Sequence, residues 1–239
     1  VHPPESKLSA GKQIEVIPPS GKVYIPLSQH IGAPALPVVQ RGDEVKVGTL
    51  LAKANGFISA NIHSSVSGKV TKIDMVMTAG GYKQNAVWID VVDDIWEESI
   101  DRSETLVSEC NLSGDEIIEK IEQAGIVGLG GATFPASVKL KSAVGKADSL
   151  LINAAECEPY LTDDHALMLA KPQELIVGVD ILMKATGVKR AYIGIENNKK
   201  DAIKLLTEHA QGYPNIEVVT LKVQYPQGGE KQLIDAILR

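Results

Sequence analysis

Three short segments hold residues whose types and spacing suit the grip of a ligand. The first is Gly128-Leu129-Gly130-Gly131-Ala132-Thr133-Phe134-Pro135-Ala136-Ser137-Val138-Lys139-Leu140. Three glycines in four residues remove the Cβ atoms that would keep a backbone away from a ligand. Thr133 is a candidate helix cap and Pro135 suits a first helical turn, so free N–H groups there would favour an anion. Lys139, one turn further on, would add positive charge. Spacing alone leaves two readings open, a ligand cradle or a plain tight turn. It is not a Walker loop, because no Gly-Lys-Ser/Thr follows.

The second segment is Ile152-Asn153-Ala154-Ala155-Glu156-Cys157-Glu158-Pro159-Tyr160, an apolar strand that ends in Asn and two Glu. Open α/β sheets bind ligands at such carboxyl ends. An Asn side chain offers both a donor and an acceptor, and carboxylates accept hydrogen bonds from hydroxyls. A solvated acidic turn is the alternative, and Asp163 and Asp164 just downstream read as that or as helix N-terminal charges. Cys157 has no partner thiol nearby and reads as a bystander. The third segment is Tyr225-Pro226-Gln227-Gly228-Gly229-Glu230-Lys231, again strand, glycine turn and helix, with Glu230 in the first helical turn. Three strand ends opening onto one sheet edge could enclose a planar cofactor.

The elements that must position these segments change character near residue 100. Before it, Val23–Leu27, Val45–Val47, Leu50–Ala52, Lys69–Ile73 and Ala86–Ile89 read as short strands, with turn signals at Arg41-Gly42-Asp43, Asn55-Gly56 and Ala79-Gly80-Gly81. Asp93 to Glu109 is acidic and polar enough to be a linker. After about residue 112, Ser113 with Glu116 signals a capping box and a helix to about Ala124. Leu150–Ile152, Ala191–Ile195 and Ile216–Leu221 read as strands. Helices are expected from Pro172 to a stop at Gly187, from Lys200 to Ala210, and from Glu230 onward. The expected fold is α/β: an all-β barrel-sandwich domain over 1–100, then a Rossmann-like domain over 112–239 with a mostly parallel sheet, cut at its C-terminal end within a helix.

A net charge of −6 with no basic stripe argues against nucleic acid as a partner. No stretch approaches the roughly 20 apolar residues of a membrane span. The start, Val1-His2-Pro3-Pro4-Glu5, lacks the basic region and apolar run of a signal peptide. Cys110 and Cys157 are too few for a disulfide framework or for the four-cysteine set of a cubane cluster. A reducing cytoplasmic setting is the simplest reading. His63 reads as a packed or turn histidine rather than a metal ligand, and no metal site is expected.

Within the β half, Arg41–Ala52 followed by Ile62–Val70 resembles the barrel-sandwich fold of lipoyl and biotinyl carrier domains. Those domains carry their group on a lysine at a hairpin tip, where this chain has Phe57. Acylation there is chemically impossible, which leaves a structural or docking module.

The order Gly-Leu-Gly-Gly-Ala-Thr-Phe-Pro, Asn-Ala-Ala-Glu-Cys-Glu-Pro-Tyr-Leu-Thr-Asp-Asp-His and Tyr-Pro-Gln-Gly-Gly-Glu resembles the RnfC family, a component of the Rnf electron-transport complex. So does the opening His2-Pro3-Pro4-Glu5-Ser6-Lys7. The α/β half is more distantly similar to the NADH-oxidising flavoprotein component of respiratory complex I. The resemblance implies a noncovalent FMN pocket: Gly128, Gly130, Gly131 and Lys139 match its first segment, Asn153 and Glu156 its second, Tyr225, Gly228 and Glu230 its third. It implies NADH contacts at Phe134 and Glu158, where acidic residues would disfavour NADPH. Leu129 stands where the complex I pattern has an arginine, Thr133 and Cys157 where it has glycines, and Ala155 where it has an aspartate.

By the same resemblance, the chain would be an NADH-dependent flavoprotein oxidoreductase with no side-chain general base. Hydride would pass to FMN and electrons onward to [4Fe-4S] clusters that the full-length family carries and this chain lacks. Its partners would be the other subunits of a membrane complex, with ferredoxin or another carrier reached indirectly, and its place the cytoplasmic face. Two rival readings are a flavin-dependent cobalamin reductase of similar architecture and a docking scaffold that binds no flavin.

Overall fold

The alternating apolar positions of the first hundred residues build two small antiparallel sheets in the computed structural model, which describes residues 3–239. Their strands are β1 (Lys22–Pro26), β2 (Leu36–Pro37), β3 (Glu44–Val45), β4 (Leu50–Lys53), β5 (Ile62–His63), β6 (Gly68–Met77) and β7 (Lys83–Val91). One sheet runs β1-β7-β6-β3 and the other β2-β4-β5. Register sets Ile25 opposite Val87 and Val70 opposite Ile89, so these side chains share the inward face. They close on Leu51, Ala52 and Ile62 of the second sheet in one buried cluster, the packed centre of a barrel-sandwich. Phe57 projects from the β4–β5 connection and is exposed. Asp93–Glu109 contains neither helix nor named strand.

The second half forms a parallel sheet of β8 (Ser149–Ala154), β9 (Arg190–Glu196) and β10 (Ile216–Leu221), in the order β10-β9-β8. Its helices are α3 (Asp163–Ala170), α4 (Pro172–Thr186), α5 (Lys200–Ala210) and α6 (Glu230–Leu238), while α1 (Gly114–Gln123) and α2 (Ala136–Ala143) precede it. β9 lies in the middle, and Ala191, Ile193 and Ile195 are fully buried as a central parallel strand requires. Ile176, Val179 and Met183 of α4 and Ala202, Leu206 and Ala210 of α5 complete that core. Leu233 of α6 packs with Leu221 and Ala155 in a separate cluster. Pro172 opens α4, and Gly187 ends it in the left-handed conformation at φ 76°.

The chain divides into two compact units. One holds the described residues up to Val16, Leu106–Gly114 and Ala143–Arg239; the other holds Ile17–Thr105 and Asp115–Ser142. Among the described residues, no helix is long and apolar enough to cross a membrane.

Candidate functional site

Parallel register brings the carboxyl ends of the three central strands to one edge, with Ala154 paired to Ile195 and Glu196 to Leu221. Asn153 lies near the end of β8 with Glu156 just past it, Glu196 ends β9 with Lys199 just past it, and Tyr225 and Gly228 lie in the turn after β10. The Asn153 side chain accepts from the Ala155 amide at 3.2 Å and donates Nδ2 to the Gly228 carbonyl at 2.9 Å. On its other side, the Gly228 amide donates to Cys157 Sγ at 3.3 Å. Gly228 is therefore gripped through both its polar groups. A Cβ there would stand 2.5 Å from the Ala155 carbonyl oxygen, so the second and third segments meet only because this residue is glycine. Cys157, expected to be a bystander, is one of the ties.

Glu156 is 5% exposed. Its Oε1 accepts from the Asp164 amide at the start of α3 at 2.8 Å, and its Oε2 lies 3.9 Å from Lys7 Nζ. Burial raises the Glu156 carboxyl above its ordinary value, opposed by the Asp164 amide and by the charges of Lys7 and Lys199. Burial also raises Asp164, helped by the charge of Asp163. Lys199 and Glu196 form a buried ion pair at 2.9 Å. Among the described residues, Glu156 Oε2 and Glu196 Oε1 are buried acceptors with no hydrogen-bond donor. Glu156, Glu196, Lys7, Cys157 and Tyr225 line one cavity of about 130 Å³. Buried acceptors without donors are costly, so a cavity lined by the two glutamates that carry them suits a ligand rich in N–H or O–H groups. Glu158 is exposed on the loop after β8, and Glu230 is exposed at the start of α6.

The glycine segment belongs to the unit that holds the β-sandwich. It is not a strand end, contrary to the expectation. Only Ile126 and Val127 separate Gly125 from Gly128, and the ordered pairing there is a single bridge from Val127 to Pro135. The Gly128 amide donates to the Phe134 carbonyl at 2.9 Å and closes the loop on itself. Pro135 is taken up by that bridge, so α2 begins one residue later, at Ala136. Thr133 adopts φ 47° and sits three positions before the helix, too far back to be its cap. Gly131 has φ 104°. A Cβ built at Gly130 or Gly131 would meet nothing within 4 Å. Gly130 has neither a positive φ nor a close neighbour to demand glycine, so its bare backbone is left available for a ligand. Leu129 is 91% exposed, Phe134 is half-buried and Lys139 is exposed.

The sequence-predicted residues thus fall in two sets. Asn153, Glu156, Glu158, Tyr225, Gly228 and Glu230 belong to the parallel-sheet unit, where direct bonds join Asn153 to Gly228. Gly128, Gly130, Gly131, Phe134 and Lys139 belong to the other unit. Sequence reasoning missed Lys7 as a member of the strand-end cluster, and it missed the Glu196–Lys199 pair. The pair had a signal, two opposite charges three positions apart just past an apolar strand. His63 is a strand residue whose imidazole is lowered by burial. No group of three or more metal-ligating side chains occurs among the described residues.

Comparisons with known proteins agree with both halves. Residues 1–94 match the RnfC barrel sandwich hybrid domain, and residues 121–239 match the Nuo51 FMN-binding domain. The chain is 46% identical over 240 residues to the C component of the proton-translocating ferredoxin:NAD(+) oxidoreductase complex of Clostridium ljungdahlii, covering 99% of this chain and 52% of that protein. It is 42% identical over 247 residues to the Na(+)-translocating counterpart from Acetobacterium woodii, covering 99% of this chain and 54% of that protein. The chain therefore spans about half the length of these relatives. Among solved structures, a chain of an NAD+-reducing [NiFe]-hydrogenase is similar at 25% identity, over 52% of this chain and 24% of its own length, with a TM-score of 0.47.

Proposed function

The chain belongs to the RnfC family of the Rnf electron-transport complex, and from that premise we propose that it is the FMN- and NADH-binding portion of such a protein. Glu156 carries the reading. Within the segment that matches an FMN-binding domain, this carboxylate is buried at a sheet edge and its Oε2 has no hydrogen-bond donor in the protein. Asn153, Glu156, Tyr225, Gly228 and Glu230 are assigned to FMN, as are Gly128, Gly130, Gly131 and Lys139 of the glycine loop. Phe134 and Glu158 are assigned to NADH.

Each unit offers residues suited to parts of such a group. Open glycine backbone at Gly130 and Gly131 accommodates a phosphate, and Lys139 adds a charge complementary to it. Asn153 and Glu156 offer polar atoms to hydroxyl and imide groups, and an exposed Tyr225 side chain offers a flat face. When bound, FMN would supply the hydride acceptor for NADH and the point from which electrons leave toward iron–sulfur clusters outside this chain. The protein's own work is to position the two ligands and to exclude water; no side chain has to take a proton.

In the cell, the chain would act with the other subunits of an ion-translocating ferredoxin:NAD oxidoreductase, held peripherally at the cytoplasmic face by those partners. The 1–100 sandwich would serve as a docking module and 112–239 as the ligand-binding part. The test is an absorbance titration of the purified chain with FMN, followed by gel filtration and repeated with Glu156→Ala. Perturbed flavin bands and retained flavin, both weakened in the variant, are expected. Unperturbed bands and no retention would overturn the reading in favour of a docking scaffold.

A further inference from the structure

Lys7 is the residue around which the loop after β8 is wrapped. Its ammonium donates to three backbone carbonyls of that loop: Glu156 at 2.8 Å, Glu158 at 2.9 Å and Leu161 at 2.7 Å. Three carbonyls saturate the three donors of a lysine, and the side chain is only 17% exposed. The contacts on either side follow the same line. The Tyr160 amide donates to the Glu5 carbonyl at 3.1 Å, Asn198 Nδ2 donates to Glu5 Oε2 at 3.2 Å, and Ser9 and Thr162 share a hydroxyl contact of 2.6 Å. Ser6 and Tyr160, the residues flanking the clamp, both hold positive φ, at 47° and 71°. Side chains other than glycine rarely adopt that conformation, and they hold it only where surrounding bonds over-determine the backbone.

We propose that Lys7 is a positioning residue for the strand-end site: by binding the carbonyls of Glu156, Glu158 and Leu161 it fixes the loop that presents Glu156 and Glu158 to the ligand. This rests on the reading of that edge as the flavin and nucleotide site. The loop bends so that its carbonyls converge on one point, and three converging carbonyl oxygens repel one another unless a cation sits among them. The same ammonium also stands 3.9 Å from Glu156 Oε2 and counters the burial that disfavours the charged carboxylate. Lys7 thus sets the path of the loop and favours the charged form of its principal side chain.

The experiment compares the wild-type chain with Lys7→Met, which keeps the aliphatic stem, and Lys7→Arg, which restores the charge. Two quantities are read: amide hydrogen exchange over residues 158–162, with the α4 amides as an internal control, and FMN affinity. In Lys7→Met, loop exchange should rise about tenfold or more and FMN affinity fall about tenfold, the factor expected for a lost charge-assisted bond, while α4 is unchanged. Lys7→Arg should recover most of both. Unchanged loop exchange in Lys7→Met overturns the clamp, as does an unchanged affinity in a chain that binds FMN. If Lys7→Met fails to fold, the arginine variant decides: wild-type exchange supports the clamp, and accelerated loop exchange in a folded protein overturns it. A wild-type chain that binds no FMN sinks the flavin reading alone, and the exchange rates still decide the role of Lys7.

Discussion

Asn153 and Gly228 stand 75 positions apart in the chain and are joined by an amide-to-carbonyl hydrogen bond of 2.9 Å. That bond, with the Gly228 amide on Cys157, ties the turn after β10 to the end of β8. Asn153→Ala should cost about 0.5–1.5 kcal/mol in denaturant unfolding, the net worth of one such bond. Asn153→Asp should cost more, because it sets a carboxylate oxygen against the Gly228 carbonyl.

Two glycines separate folding from binding. Gly228→Ala forces a Cβ to 2.5 Å from a backbone oxygen and should destabilise the chain by about 1–3 kcal/mol. Gly130→Ala meets nothing within 4 Å, so stability should stay within about 0.5 kcal/mol of wild type. FMN affinity should nevertheless fall about tenfold if the loop backbone touches the ligand. Thermal denaturation and flavin titration of the same two proteins check both halves.

Glu156 should give stability a particular pH dependence. Its native carboxyl is raised by burial, against the pull of the Asp164 amide and the charges of Lys7 and Lys199. Between the ordinary glutamate value and the raised one, the native state binds more protons than the unfolded state, so stability falls as pH rises. Below that window there is no penalty, and above it the penalty is complete. Asp164 shifts in the same direction and adds to the slope. Melting curves of wild type and Glu156→Gln from about pH 4 to about pH 8 should diverge in the variant's favour as pH increases. Parallel curves would refute the assignment.

Leu129 offers a gain-of-function test. It is 91% exposed on the glycine loop, so an arginine there has room without disturbing the core. Leu129→Arg should strengthen FMN binding by about 3- to 10-fold at low salt, through attraction to the phosphate, with the gain shrinking as ionic strength rises. No gain at any salt concentration would argue that the phosphate does not reach this loop.

Much of the fold was legible because its signals are local. Pro172 and Gly187 bracket α4, and the apolar runs at 150–152, 191–195 and 216–221 are the buried parallel strands. The helix α3 was not, because Asp163-Asp164 reads equally well as a solvated turn and its apolar face is weak; what holds its start is Glu156, bonded to the Asp164 amide. The glycine loop was legible as a loop but not in its geometry. Whether Pro135 enters a helix or bridges Val127 depends on how few residues remain to form a strand beside it. Lys7 left no trace in any window of sequence, since its three acceptors lie 149 to 154 positions away and are carbonyls, which every residue has.

That span has a consequence for how the chain is made. As it leaves the ribosome, the segment carrying Lys7 emerges well before its partners, which follow after some 150 further residues, roughly 8 to 30 s of synthesis at about 5–20 residues per second. The sandwich strands, whose partners are nearer in the chain, are free to pair during that wait, whereas the lysine has no carbonyls to bind. The clamp therefore cannot form until Leu161 has emerged, so a nascent chain stalled before it would keep the Lys7 segment open to proteases and chaperones.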